Sequence, residues 1–193
     1  MRLFVAVRVG DAAVRRAEEV RRLIERLDPE LARQGAKWVS TAQMHVTVRF
    51  LGEIDPLLGE DVSAALTDSV SQIPFGIGFG TPAWLPPRGR PKALVLPMAS
   101  GADPLDALRR AVEGRLPAGT PPDEPRAFRP HLTVARIRDE WRARARALQP
   151  ALAGLPPVAD GGVVDAAVLF ESRPGPRGPV YHERARLRLA AQA

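Results

Sequence analysis

Two short motifs in the sequence carry side chains suited to acid–base chemistry. The tetrapeptide His-Val-Thr-Val occupies 45–48, and His-Leu-Thr-Val occupies 131–134. Because side chains alternate along a β-strand, the histidine and threonine of each motif share one face, and the apolar residues anchor the other. Imidazoles exchange protons near neutral pH and threonine hydroxyls donate hydrogen bonds. Two such pairs facing one cleft would therefore suit a reaction at phosphate.

The two motifs are informative because they occur together. One histidine beside a threonine on a strand is usually a solvated or structural residue. In this chain, however, two of the three histidines fall in matching motifs. We therefore predict that His45 and His131 are catalytic, with Thr47 and Thr133 beside them. His182 has no matching partner and is predicted to be structural.

The residue types present restrict the chemistry further. The chain has no cysteine, which excludes disulfides, zinc–thiolate sites and cysteine nucleophiles. The histidines lie on separate predicted elements and lack the local spacing typical of metal ligands, so we expect no zinc site.

Composition is that of an ordinary globular protein, with 45% apolar and 26% charged residues in a chain of 193. The N-terminal apolar stretch is too short for a signal peptide, and no segment approaches the roughly 20 apolar residues that span a bilayer. We expect a cytoplasmic location and no membrane partner. Lysine and arginine total 28 against 22 acids, and this net charge of +6 favours a polyanionic partner.

Hydrophobic patterns predict elements that follow a repeated order. In the first half these are strand 3–9, helix 12–27, strand 44–54 and helix 56–72. In the second half they are strand 93–98, helix 104–116, strand 128–137 and helix 139–153. An alternating strand is predicted at 75–80, terminal strands at 162–171 and 180–189, and proline-rich loops at 82–91, 117–125 and 173–179. The arginines at 142, 144 and 146 are predicted to lie on a solvated helix face.

The matching order predicts one domain, 1–193, with two intertwined lobes. The lobes are built from a repeat of about 2–72 and 92–153, to which the terminal strands are added. The connections favour an α+β fold with two antiparallel sheets over a doubly wound parallel one. A pseudo-two-fold axis would turn the polar faces of the two motifs toward each other across a central cleft, with the helices outside.

Longer stretches around the motifs resemble a known family. The segments His-Val-Thr-Val-Arg-Phe-Leu-Gly-Glu at 45–53 and Phe-Arg-Pro-His-Leu-Thr-Val-Ala-Arg at 128–136 look like signature blocks of the 2H phosphoesterase superfamily. So does Leu-Phe-Glu-Ser at 169–172, followed by Gly-Pro-Val-Tyr at 178–181. Within that superfamily the chain resembles the bacterial RNA 2′,3′-cyclic phosphodiesterases, once called 2′-5′ RNA ligases. The likeness covers nearly the whole chain.

The resemblance implies a bilobal fold around a cleft, with no metal or organic cofactor. It also implies that water attacks a 2′,3′-cyclic phosphate and the 3′ oxygen leaves, so that the product carries a 2′-phosphate. In that reaction His45 would protonate the leaving oxygen and His131 would deprotonate the water. Thr47 and Thr133 would hold the non-bridging oxygens.

Two further residues match positions of the resembled family. Arg136, five residues after His131, matches a position that contacts phosphate, and Phe50, five after His45, matches one that can stack on a base. Strict alternation puts both side chains on the face opposite the histidines. Their assignment to the site therefore requires that each strand bulges or ends there.

The expected partner is RNA with a 2′,3′-cyclic phosphate end, or a cyclic nucleotide, and the protein is expected to act as a monomer. Two other functions stay open at this point. One is joining of 2′-5′ RNA ends, the reverse chemistry at the same two histidines. The other is non-catalytic binding of nucleotides or RNA. Intact histidine and threonine in both motifs disfavour simple binding, which needs no matched acid and base.

Overall fold

A computed structural model describes residues 1–123, 127–176 and 178–191. Residues 124–125 of one predicted loop and Arg177 of another lie outside this range. The strands are β1 (Arg2–Arg8), β2 (Ala36–Trp38), β3 (His45–Glu53), β4 (Asp68–Ser71), β5 (Phe75–Gly76), β6 (Gly78–Phe79), β7 (Ala83–Leu85), β8 (Ala93–Ser100), β9 (His131–Ile137), β10 (Val163–Val164), β11 (Ala166–Arg173) and β12 (Val180–Ala190). The α-helices are α1 (Asp11–Leu27), α2 (Pro56–Ala65), α3 (Ala102–Glu113), α4 (Arg142–Arg146) and α5 (Gln149–Ala153).

Most strands belong to one large sheet, whose path runs β4-β12-β11-β1-β3-β9-β8-β6. Its two halves are joined at a single residue pair, Val46 of β3 opposite Leu132 of β9. Strand β2 pairs with β9, β7 pairs with β8, and β5 and β10 form a separate small sheet. All these pairings are antiparallel except that of β4 with β12. The halves therefore meet beside the two histidines and diverge from there.

The helices bury one apolar face each, as the sequence patterns predict. In α1 the buried residues are Ala13, Ala17, Val20 and Ile24, spaced three or four apart. In α3 they are Leu105, Leu108 and Val112, and the helix begins after Gly101, whose φ of +82° favours glycine. No helix in the described ranges is long and apolar enough to cross a bilayer.

The α+β fold is confirmed, and both halves show the order strand, helix, strand, helix. One domain made from a duplicated unit remains a prediction of the sequence. Several predicted elements were wrong in extent. The loop predicted at 82–91 contains strand β7, and the terminal strand predicted at 162–171 divides into β10 and β11, which lie in different sheets. The helix predicted at 56–72 ends at Ala65, because the polar segment 68–71 instead forms an edge strand against β12. The helix predicted at 139–153 is a 3₁₀ turn followed by two short helices, the second of which has Pro150 in its first turn.

The alternating strand predicted at 75–80 is also divided. It forms β5 and β6, which pair with different partners, β10 and β8. Between them the amide of Ile77 donates to the carbonyl of Gly162. A Cβ at Gly78 would lie 2.8 Å from the backbone carbonyl oxygen of Ala159, so the close approach of two backbones here requires glycine.

Candidate active site

The two histidine motifs line one cavity of about 680 Å³ between the diverging halves of the sheet. His45 and Thr47 reach it from β3, and His131 and Thr133 reach it from β9. Their strands touch at the residue between each histidine and threonine, which is buried in both cases. The predicted alternation is present in both motifs, where the apolar residue is buried and the histidine and threonine on either side of it are half-buried.

A matched irregularity follows each motif. In β3, Thr47 lies opposite Ala6 while Arg49 lies opposite Val5, which leaves Val48 without a partner. The second half repeats this in β9, where Thr133 and Ala135 lie opposite consecutive residues of β8 and the residue between them has no partner. Each is a β-bulge, and a bulge of one residue reverses the side-chain alternation beyond it.

The bulges bring Phe50 and Arg136 onto the face that carries the histidines. Both side chains line the cavity, and Phe50 is 43% exposed. Strict alternation would have turned them away, so the condition set by the sequence, a bulge in each strand, is met. The guanidinium carbon of Arg2 lies 5.3 Å from the centre of the Phe50 ring and holds one side of it.

Both imidazoles are oriented in the same way. Nδ1 of His45 lies 2.7 Å from the carbonyl oxygen of Gln43, and Nδ1 of His131 lies 2.7 Å from that of Arg129. A carbonyl can only accept, so Nδ1 carries the proton in each neutral ring and donates it there. The bond leaves Nε2 of each ring free for an oxygen in the cavity, as a general acid or base requires.

The two histidines differ in their surroundings. His45 packs 4.9 Å from the Phe4 ring and 5.6 Å from the Tyr181 ring, measured between centroids. Burial lowers the pKa of His45 below 6.5, the carbonyl of Gln43 opposes this, and the positive charges of His131 and Arg136 lower the pKa further. With these neighbours His45 favours its neutral form at neutral pH.

Tyr181 lines the cavity and ends the signature block at 178–181, but the sequence analysis gave it no role. Its ring also packs edge-on against the Phe4 ring, with the two centroids 4.9 Å apart. Burial raises the pKa of the phenol, against the positive charges of Arg136 and Arg2. Because the phenol stays protonated, it offers the cavity a neutral hydrogen-bond donor. The repeat gave no signal for it, since it lies in a terminal strand outside the duplicated units.

The hairpin loop closes one side of the cavity through residues 174–175 and 178–179. It is tied to the turn before His45, because Nε2 of Gln43 donates to the carbonyl of Pro179. Gln43 also accepts from the Ser40 hydroxyl at 2.8 Å. The carbonyl that orients His45 therefore belongs to Gln43, whose side-chain amide makes one hydrogen bond through its oxygen and one through its nitrogen.

Two basic residues of the cavity were also missed by sequence reasoning. Arg2 and Lys37 line it together with Arg136, so that among the described residues three cationic side chains besides the imidazoles, and the carboxylate of Glu53, line the cleft. By contrast, His182 is exposed, lies opposite Glu171 in the hairpin, and does not line the cavity. Within the described residues there is no group of three or more histidine, aspartate or glutamate side chains placed to hold a metal ion.

The sequence matches the model of one protein family, the 2′-5′ RNA ligase superfamily, over residues 10–175. Three relatives are each named RNA 2′,3′-cyclic phosphodiesterase. The one from Thermotoga maritima is 29% identical over 188 residues, which is 94% of this chain and 91% of the relative. The one from Archaeoglobus fulgidus is 31% identical over 72% of this chain and 73% of the relative. The match to the Aquifex aeolicus protein, at 34% identity, spans 53% of this chain and only 55% of that relative's length.

Solved structures share the fold over the full chain. The Thermus thermophilus protein TT0787 superimposes with a TM-score of 0.67 at 24% identity, covering 100% of both chains. Escherichia coli LigT complexed with 3′-AMP gives a TM-score of 0.71 at 18% identity, covering 97% of both chains. At these identities the likeness concerns the fold alone.

Proposed function

This chain belongs to the 2′-5′ RNA ligase superfamily, and we propose that it hydrolyses 2′,3′-cyclic phosphate ends of RNA to 2′-phosphate ends. The observation that carries the proposal is the pair of imidazoles, each with Nδ1 bonded to a carbonyl and Nε2 left for one shared cavity. The names of the three relatives support the same substrate class.

The proposed reaction is an in-line displacement at phosphorus. Nε2 of His131 accepts a proton from the attacking water while the water oxygen bonds to phosphorus. The bond from phosphorus to the 3′ oxygen breaks, and Nε2 of His45 gives that oxygen its proton. The product carries a 2′-phosphate and a 3′-hydroxyl, and a proton returns from His131 to His45 through solvent. Each proton-transfer role is worth about 10²–10⁴-fold in rate.

The acid role of His45 requires an imidazolium, yet burial, and after it the charges of His131 and Arg136, lower the pKa of this ring. The cyclic phosphate brings a negative charge beside the ring, and an adjacent opposite charge favours the protonated form. On this account substrate binding itself prepares the acid. His131 has no aromatic ring packed on it among the described contacts, and it meets the water from the more open side.

The remaining residues of the proposal hold the substrate. Thr47 and Thr133 donate to the two non-bridging oxygens, where charge grows in the transition state. Arg136 adds a charge-assisted contact to the phosphate. Phe50 offers a partly exposed ring on which the base stacks.

One alternative has a specific observation in its favour. The superfamily takes its name from 2′-5′ RNA ligation. The same acid and base would join two RNAs if the 5′-hydroxyl of the second RNA, in place of water, lost its proton and bonded to phosphorus while the 3′ oxygen left and was protonated. Turnover of an RNA ending in a 2′,3′-cyclic phosphate separates the two, assayed in excess EDTA with and without a second RNA end. We expect a 2′-phosphate end in both assays. A joined product would favour ligation, and binding with neither product would favour a non-catalytic binder.

A further inference from the structure

Lys37 and Arg136 form a like-charged pair across two strands at the mouth of the cavity. They lie directly opposite each other in the β2–β9 ladder, and both side chains are exposed and line the cavity. Residues opposite each other in an antiparallel pair have Cβ atoms about 4.5–5.5 Å apart and point to the same face. Two cations are thereby fixed side by side.

This pair lacks the counter-charges that other basic residues have. Neither Lys37 nor Arg136 has a carboxylate partner among the described residues. Elsewhere in the protein, Arg109 and Arg144 each contact two carboxylates. Like charges directly opposite on a sheet are destabilising, so the arrangement is suited to an anion that bridges them.

The position of β2 shows where that anion would lie. Strands β3 and β9 pair only at Val46 and Leu132. Further along β9, at residues 135–137, β2 pairs with the same edge in place of β3. Lys37 therefore lies in the widening part of the cleft, beyond the histidines and threonines. The cavity of about 680 Å³ falls within the range of about 300–1,000 Å³ in which proteins hold ligands of nucleotide size and larger.

We propose that Lys37 and Arg136 together bind a second phosphate of the substrate, the one attached to the 5′ oxygen of the terminal nucleotide. This inference rests on the proposed function, because the first phosphate is taken to lie between the two histidines. Arg136 lies between the two phosphates and Lys37 contacts only the outer one. The site thereby distinguishes an RNA end, which has this phosphate, from a nucleoside 2′,3′-cyclic phosphate that lacks it.

The test measures binding and needs no turnover. Calorimetry compares adenosine 3′-monophosphate with adenosine 3′,5′-bisphosphate, which differ only in the outer phosphate. A charge-assisted contact is worth about tenfold to a hundredfold in affinity. We expect the wild-type protein to prefer the bisphosphate by about this factor, less so as salt rises. In Lys37→Gln the ratio of the two affinities should fall toward one, and Lys37→Arg should retain it.

The chain offers a matched control in Lys92, the other lysine, which is exposed and does not line the cavity. Lys92→Gln should keep the wild-type ratio. A wild-type ratio near one would overturn the inference, and so would an unchanged ratio in Lys37→Gln. If Lys37→Gln did not fold, the wild-type ratio and its salt dependence would still decide. Preference for the bisphosphate without hydrolysis of any cyclic phosphate would keep this subsite and reject the proposed function instead.

Discussion

Val48 and Val134 are equivalent residues, because each is the unpaired residue of a bulge three positions after the histidine of its strand. The burial pattern over the first seven residues of β3 and β9 is the same. Three side chains of each strand therefore face the cleft. They are the histidine, the threonine two residues later and the residue five after the histidine. The last position differs in chemistry, with an aromatic ring at Phe50 and a guanidinium at Arg136.

Arg136 should strengthen binding of the reacting phosphate. Replacing it in Arg136→Gln removes a charge-assisted contact, and we expect kcat/KM for a 2′,3′-cyclic nucleotide to fall about tenfold to a hundredfold. Arg138 is a matched control, because it lies two residues further on, is exposed and does not line the cavity. Steady-state kinetics of Arg138→Gln should match the wild type. Equal losses in both variants would assign the effect to net charge.

Phe50 should contribute to substrate binding only by stacking on the nucleotide base. Stacking of one base on an aromatic ring is worth about 1–3 kcal/mol, so Phe50→Ala should raise KM for cyclic nucleotides by a corresponding factor. Ribose 2′,3′-cyclic phosphate has no base and serves as the control substrate, with similar kinetics for both proteins. A defect of the same size on this substrate would show that Phe50 supports the strand and not the base.

The pKa of His45 should depend on whether the cavity holds an anion. Burial lowers this pKa below 6.5 in the free protein, and NMR titration of the imidazole should show a midpoint below that value. Saturation with inorganic phosphate should raise it. A midpoint at or above 6.5 without phosphate would contradict the structure.

The same shift has a consequence for stability. Between the lowered pKa of His45 and 6.5, the unfolded chain binds a proton that the folded protein does not. The contribution of His45 to the free energy of unfolding is therefore present above pH 6.5 and is lost as the pH falls through this window.

Arg49 should be important for stability, since its side chain is 1% exposed and lies between the two halves. Nε lies 2.7 Å from Oε2 of Glu113 in α3, and another guanidinium nitrogen donates to the carbonyl of Pro121. Loss of even one such bond costs about 1.5–3 kcal/mol, so chemical denaturation of Arg49→Met should show at least this decrease. Arg21→Met removes an exposed pair with Glu25, worth about 0.3–0.5 kcal/mol, and a contact with the Trp38 ring, worth about 0.5–1 kcal/mol at an exposed site. Similar losses in the two variants would argue against Arg49 as a link between the halves.

The histidines, the threonines and their strands could be predicted because alternation and repetition are local features of the sequence. The bulges at Val48 and Val134 could not, since a single unpaired residue leaves the composition of a strand unchanged. The sequence therefore did not determine on which face of their strands Phe50 and Arg136 lie. The pairing registers of β3 with β1 and of β9 with β8 determine it. Tyr181 belongs to a strand far along the chain and reaches His45 only through the order of the strands.

Long-range partners change another expectation in part, although the side chain of Arg144 is still 49% exposed. The arginines at 142, 144 and 146 were predicted to form a solvated face because their spacing spreads them around a helix. Arg144 instead donates to both carboxylate oxygens of Asp28, at 2.6 Å each, and Arg146 donates to carbonyls of the loop 86–89. Asp28 lies 116 residues away, a separation at which charge patterns along one helix carry no information.

The division of labour between His45 and His131 is tested most directly by changing the leaving group. In a 2′,3′-cyclic phosphorothiolate with sulfur at the 3′ bridging position, the leaving thiolate needs no proton, because thiols have a pKa of about 8.5. Activity on this substrate is compared with that on the normal cyclic phosphate for His45→Ala and His131→Ala. We predict that both variants lose orders of magnitude on the normal substrate, and that sulfur restores activity to His45→Ala alone. Rescue of His131→Ala instead would reverse acid and base, and near-full activity of either variant on the normal substrate would contradict the two-histidine mechanism.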